Sequence, residues 1–304
     1  MSTTDVDDSS GVAEARTAAP AGFRPPARLT GPPRLSQRLP WLYPLAVRVH
    51  RTRRRARWLL HPEPWARRRD PQALAFRARR HRSLLMRELG ESEMWLQRNK
   101  VVNLRLAAAH VDTLLIGPGE VFSFNRVVGS CTRRRGYVEG MKLSNGEAEA
   151  GVGGGICQLA NLLHWMFLHS PMTVVERSEH SFDPFPDNGR VLPWGVGCSI
   201  VYNYVDLVVR NDTEATFQLR VHVGERHLEG ELLSDHAIPW SYKVFARNEQ
   251  FLRYGADHYR RNEIWRSVID RRTGTVVREE LVKENCALVK YLPVGVPVVD
   301  VPLS

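Results

Sequence analysis

Three consecutive glycines, Gly153, Gly154 and Gly155, lead straight into an apolar run that continues to residue 169, and this feature constrains the chain more than any other. Glycines in series lose the most backbone entropy on folding, so a chain keeps them where a positive φ or a close approach to another group demands it. The run behind them has helical spacing, and Pro171 closes it. Upstream, the pattern predicts a second helix over 101–116, stopped by Gly117, Pro118 and Gly119, then a short alternating strand over 120–125 and a hairpin turning at Asn145 and Gly146. Beyond Pro171 the helical period fades. Short strands are expected at 173–177, 198–204, 206–210, 216–223 and 227–233, with turns at Asn211-Asp212 and Gly224-Glu225. The tail continues as strands, with a hairpin at 271–274. Helices come early and strands late, without βαβ alternation. The expected class is α+β: a helix-first domain with a helix-capped, mostly antiparallel sheet and a β-rich C-terminal extension.

Charge divides the chain differently. Residues 1–100 hold 21 Lys and Arg against 9 Asp and Glu, whereas residues 101–304 hold 22 against 24. The composition suggests four parts: a disordered Ala/Pro/Ser/Thr-rich tail over 1–35, a basic helical segment over 36–98, a central domain over 99–235 and the extension over 236–304. In the basic segment, Arg48, Arg51, Arg53, Arg54, Arg55 and Arg57 alternate with Trp41, Leu45, Trp58, Leu59, Leu60 and Trp65. Three readings stand side by side: a solvated helical pair packed on the domain, an interfacial surface for anionic lipid through 41–69, and a nucleic-acid surface. The last has no helix-turn-helix, zinc-finger or RNP-type motif behind it, so no nucleic acid is expected as a partner.

Cysteines at 131, 157, 198 and 286 form no CxxC or Cys/His cluster, so neither a zinc site nor any other cofactor is expected. Nor do four scattered cysteines in a chain of this length make a disulfide scaffold. The acidic start (Asp5, Asp7, Asp8) does not read as a secretory signal, and no apolar stretch reaches the ~20 residues of a membrane-spanning helix. The expected location is therefore cytoplasmic, with peripheral attachment at the inner membrane face if the basic segment binds lipid.

The chemistry concentrates at the glycine turn. Cys157 falls in the first turn of the helix, where free N–H groups and the positive end of the dipole favour thiolate over thiol. The same groups can stabilise an oxyanion on a carbonyl attacked by that sulfur. His164 is seven residues along the helix, about 10 Å at ~1.5 Å per residue, too far for a direct hydrogen bond to the sulfur. His180, beyond the strand at 173–177, is the better candidate base, with Asp206 as the third member orienting its imidazole. Arg177 is a candidate for gripping a substrate carboxylate in two-pronged fashion, and Gly153, Gly154, Gly155 and Gln158 complete the substrate-binding set. Against this, a cysteine at a helix start often serves as a small buried hydrophobe. A glycine run before a helix can also cradle phosphate, but no Lys-Ser/Thr follows, which argues against a nucleotide loop. Phe122, Phe124, Trp165 and Phe167 read as core.

In order along the chain stand Asn103-Leu104 with Ala107, Ala108 and Ala109; Ile116-Gly117-Pro118-Gly119-Glu120-Val121-Phe122-Ser123-Phe124; Gly153-Gly154-Gly155-Ile156-Cys157-Gln158; Glu176-Arg177 with His180; and Asp206-Leu207 with Asn211. This series resembles the VanW family. The resemblance implies an accessory role in glycopeptide resistance and in peptidoglycan metabolism. It also implies acyl transfer of the L,D-transpeptidase type on peptidoglycan stem peptides or precursors, with Cys157 as nucleophile, His180 as base, and the glycines with the helix start as the oxyanion region. Without catalysis, the family resemblance implies an accessory module binding cell-wall precursors at the inner membrane face. The chain departs from the family pattern at Gly195-Val196-Gly197-Cys198, where members commonly read Gly-x-Asp-Ala.

Overall fold

The computed structural model describes residues 23–30, 39–86, 94–144, 147–178, 182–184, 186–187 and 191–302. The tail expected over 1–35, the turn at Asn145 and Gly146, and His180 lie largely or wholly outside these residues. The fold class is α+β, as the order of helices and strands implies.

Helix α1 (Tyr43–Leu60) begins with Pro44, whose fixed φ and missing N–H suit the first turn of a helix. The helical reading of the basic segment ends there. Phe76–Leu84 is strand β1, which pairs antiparallel with β10 (His227–Ser234). Its alternation was hidden by arginines that pair across the strands, Arg80 with Glu229 at 2.9 Å and Arg77 with Glu231 at 3.4 Å. Helix α2 is Met94–Val111, so the helix expected over 101–116 starts earlier and stops sooner. Asp112 and Thr113 turn the chain, Thr113 in the left-handed region at φ 66°, and Leu115–Ile116 becomes strand β2.

Strand β3 (Val121–Ser123) gives way to a one-turn helix α3 (Phe124–Val128), N-capped by Ser123, whose Oγ accepts from the Arg126 N–H. Strands β4 (Glu139–Ser144) and β5 (Glu147–Val152) form the expected hairpin and deliver the chain to the glycine turn and helix α4 (Cys157–Leu168). Strands β6 (Thr173–Glu176), β7 (Phe182–Asp183), β8 (Val208–Arg210) and β9 (Phe217–Val223) lead to β10. The stretch 198–204 is not a strand; it makes one isolated bridge, Val201 to Val205. Its β-branched and aromatic residues sit in a loop bent at Asn203, which has φ 56°. The tail forms long strands β11 (Trp240–Tyr254), β12 (Asp257–Asp270) and β13 (Val276–Val289), then β14 (Val298–Val301).

The described residues form four sheets: β1-β10-β9-β2, β3-β8-β6, the β4-β5 hairpin, and β14-β11-β12-β13-β7. Helix α4 is apolar around most of its circumference because it is packed on two sides. Leu159, Leu162, Leu163, Met166 and Phe167 enter the main core with α2 and the β1-β10-β9-β2 sheet, while Trp165 and Leu168 join Val196, Val244 and Ile264 of a second cluster. Gly230 in β10 permits the close approach, since a Cβ there would lie 2.6 Å from the Leu162 side chain. Each such leucine, fully buried, contributes about 1.5–3 kcal/mol. Among the described residues no helix is long and apolar enough to cross a membrane.

Candidate thiol site

The glycine turn is shaped by two requirements at once. Gly153 and Gly155 have φ of 75° and 91°, and a Cβ on Gly154 would stand 2.1 Å from the Gly140 carbonyl oxygen in β4. Asn103 of α2, fully buried, fastens the turn. Its amide nitrogen donates to the carbonyls of Val138 (3.0 Å) and Gly154 (2.9 Å), and its oxygen accepts from the Val138 N–H (2.9 Å). The Gly153 and Gly154 N–H groups are engaged within the turn, bonding the carbonyls of Val138 and Gly151. Neither is therefore a resting oxyanion donor, which narrows the expected oxyanion region to the amides that follow.

Cys157 opens α4 and is partly exposed. The backbone amides of Ile200 and of Cys157 itself lie near the sulfur, and Lys142 places positive charge nearby. These contacts favour thiolate. Burial outweighs them, and the Cys157 thiol is pushed up rather than down. The expectation of a thiol lowered by the helix start is thus reversed: desolvation by the surrounding protein exceeds what the end of one helix and two amides contribute. Cys131 lies against Gly153, where an added Cβ would approach its own Cβ to 2.5 Å, and its thiol is also raised by burial. Cys198 is fully buried, and its thiol is pushed up to about 12 by desolvation.

The other candidates are placed unequally. Asp206 is fully buried, and both of its carboxylate oxygens are engaged by nearby donors. Its Oδ2 accepts from Ser123 Oγ at 2.6 Å, and its Oδ1 accepts from the N–H groups of Asn125 and Leu207 at 2.9 Å each. It thereby supports the start of α3. Burial lifts its pKa to about 6 even with those hydrogen bonds and the Arg54 guanidinium opposing the rise. Arg177, expected to grip a substrate carboxylate, donates through Nε to the Gly197 carbonyl at 2.9 Å and through a terminal nitrogen to the Gly195 carbonyl. The Gly195-to-Cys198 stretch is thus pinned by Arg177. Gln158 is turned to structure as well: its Nε2 donates to Ser83 Oγ and to the Leu84 carbonyl, both at 2.8 Å, fixing the end of β1 to α4. His164 is buried, its Nδ1 sits 2.9 Å from the Val196 carbonyl, and desolvation drops its pKa to about 3, so it stays neutral.

Sequence reasoning missed Arg54. It is half-buried, pairs through both terminal nitrogens with Glu176 (2.9 and 2.5 Å), donates to the Tyr204 carbonyl at 3.0 Å and stands 4.0 Å from Asp206. Nothing local in an arginine run marks one member as the one that docks, apart from its neighbour Trp58, on whose ring Arg126 stacks at 4.8 Å. Also missed was the strap over 198–205. The Cys198 N–H bonds Asn161 Oδ1 of α4 at 2.6 Å, Ile200 meets the Cys157 sulfur, and Val201 and Val205 lend carbonyls to Asn125. A groove of about 300 Å³ lies at the opposite end of α4, bounded by Pro171, Ala215, Ile238 and Trp240, and it does not belong to the thiol site. Among the described residues no group of three or more His, Cys, Asp or Glu is disposed to hold a metal ion.

A glycine-led thiol at the head of a doubly packed helix, strapped by 198–205 and bolted through Asn103 to a β-hairpin, defines an α+β thiol-site domain. The VanW-like protein family model matches residues 99–233. The chain is 35% identical over 207 residues, 68% of its own length, to vancomycin B-type resistance protein VanW of Enterococcus faecalis (strain ATCC 700802 / V583), covering 75% of that protein. It is 38% identical over 96 residues to the uncharacterized protein YoaR of Bacillus subtilis (strain 168), spanning 31% of this chain and 32% of that one. No solved structure matches. The chain belongs to the VanW family.

Proposed function

We propose that this chain acts in peptidoglycan metabolism linked to glycopeptide resistance, as a cysteine-dependent acyl transferase of the L,D-transpeptidase type. The observation that carries the reading is the placement of Cys157: partly exposed, at the start of α4, directly behind a glycine turn with positive φ at Gly153 and Gly155. The relative's name supplies the resistance link. In the proposed step, His180 takes the thiol proton and the sulfur attacks the carbonyl of the third residue of a stem peptide. The bond to the fourth residue breaks, and its departing amine takes the proton. An amine of a second stem then attacks the thioester, expels the sulfur and forms the new amide. Such a crosslink dispenses with the terminal dipeptide that glycopeptides bind. A thiol raised by burial is protonated at rest, so this chemistry needs its base at the moment of attack. Intact-mass spectrometry of the full chain incubated with tetrapeptide stem tests the reading. An adduct of the tripeptide acyl group is expected on the natural protein and absent from Cys157→Ala.

The raised thiol also favours a second reading, an accessory module that holds a wall precursor without acylating. In that case no adduct forms, and Cys157→Ala leaves both precursor binding and resistance unchanged. Loss of resistance in Cys157→Ala with binding intact rejects the accessory role.

A further inference from the structure

Among the described residues, helix α1 is docked by one face. Arg51 donates to the Tyr202 carbonyl at 3.3 Å, its own carbonyl accepts from Asn203 Nδ2 at 3.1 Å, Arg54 joins Glu176, and the His50 ring stacks on Tyr204 at 4.7 Å. At 100° per residue these four contacts share one side. On the opposite side Leu45, Val49, Leu59 and Leu60 line up as a stripe, and Leu59 and Leu60 are 82% and 74% exposed. Trp41, just before the helix, is 72% exposed. Arg48 and Arg55 flank the stripe on one edge, Arg53 and Arg57 on the other. Residues 41–62 contain no Asp or Glu.

We infer that the outward face of α1 is a docking surface for an anionic lipid bilayer, on which the helix lies parallel to the membrane plane. The stripe is what separates a bilayer from the other polyanions an arginine helix attracts. Phosphate-backbone binding needs the arginines and gains nothing from exposed leucines and a tryptophan, whereas an interfacial helix buries that stripe ~5–10 Å into the headgroup boundary and keeps its arginines at the phosphates on both edges. The helix is about 27 Å long at 1.5 Å per residue, enough to lie along the surface as a single contact. The same strap that receives Arg51 and Arg54 bonds α4 through Asn161, so bilayer attachment sets the thiol site at a fixed position relative to the membrane. This docking stands whether or not Cys157 reacts.

Vesicle flotation of the full chain tests it, with phosphatidylglycerol/phosphatidylcholine vesicles against phosphatidylcholine alone. The natural protein is expected to float with the anionic vesicles and to detach as salt is raised. A triple Arg48→Gln/Arg53→Gln/Arg55→Gln variant should bind on the order of 100-fold more weakly, about fivefold per arginine. Leu45→Ser/Leu59→Ser/Leu60→Ser should weaken binding at least about tenfold. All six positions are solvent-exposed, and unchanged thermal melting verifies that both variants fold. Three outcomes overturn the inference: no flotation of the natural protein with anionic vesicles, full binding by the leucine variant with duplex DNA bound equally well, or a dimer that the leucine variant dissolves.

Discussion

Asn103→Ala is the sharpest test of how the thiol site is held. The Asn103 side chain makes three hydrogen bonds, two given and one received. Its removal strips the Gly154 carbonyl and the Val138 N–H of those partners, while the Val138 carbonyl keeps the Gly153 N–H at 2.9 Å. A buried polar group left without a partner costs about 1–3 kcal/mol. Gly154 is buried and Val138 half-buried, so water can relieve the second group in part. The expected loss is about 2–4 kcal/mol, a large share of the ~5–15 kcal/mol that holds a domain folded. At ~2–4 °C per kcal/mol for a domain of this size, the melting temperature should fall by roughly 5–15 °C in a calorimetric scan at neutral pH. Because Gly154 lies three residues before Cys157, iodoacetamide should also label that thiol faster once the turn is loosened. A melting point within 2 °C of the natural protein, together with an unchanged labelling rate, refutes the reasoning.

Gly154→Ala places a Cβ against the Gly140 backbone, which has no side-chain end to swing away, so a loss of at least ~1–3 kcal/mol is expected as a lower urea midpoint; an unchanged midpoint contradicts the packing. Asp206, lifted by burial from 3.8 to about 6, makes its stabilising contribution in full below the unfolded value and loses it as pH rises through about 6. Asp206→Asn should therefore gain on the natural protein between pH 4.5 and 7.5, by up to about 3 kcal/mol in urea titrations, and a pH-independent difference rules this out. The alkylation rate of Cys157 should climb with a midpoint above the ordinary thiol value of about 8.5; a midpoint near 7 shows that burial does not dominate. Arg54→Gln leaves Glu176 and Asp206 without their cation and should destabilise by about 1–3 kcal/mol, measured by chemical denaturation, whereas an unchanged denaturation midpoint means the cluster is well hydrated.

What the sequence disclosed were the features with local causes. The glycine run needed positive φ and a close approach, and it has both. The span of α4 followed from a period of 3.6 ending before Pro171, and the turn at Asn211 from a side chain that bonds its own loop, donating to the carbonyls of Ile116 and Ala215. What it concealed depends on distant partners. Leu115 and Ile116 continue the apolar content of α2, yet they belong to a strand because β9 lies alongside. Arg77, Arg79, Arg80 and Arg82 read as a solvated helix until β10 supplies Glu229 and Glu231. The Cys157 acidity failed for the same reason: the helix start is local and readable, while the desolvation that overrides it comes from chain folded in from elsewhere.

The strap over 198–205 ties these distant effects together. It bonds α4 through Asn161, places Ile200 beside Cys157, bonds Asn125 at the start of α3 and receives α1 through the carbonyls of Tyr202 and Tyr204. Few of these bonds are strong alone, but a loop fixed at both ends and at its middle cannot move at one contact without disturbing the others. The left-handed Asn203 at its apex is held by the Arg51 carbonyl, so withdrawal of α1 also frees that residue to leave its unusual backbone conformation. The donors facing the thiol, and the protein that desolvates it, are thus governed in part by where α1 sits. A basic helix some hundred residues away in sequence is therefore bonded to the same strap that bonds α4 beside the cysteine site.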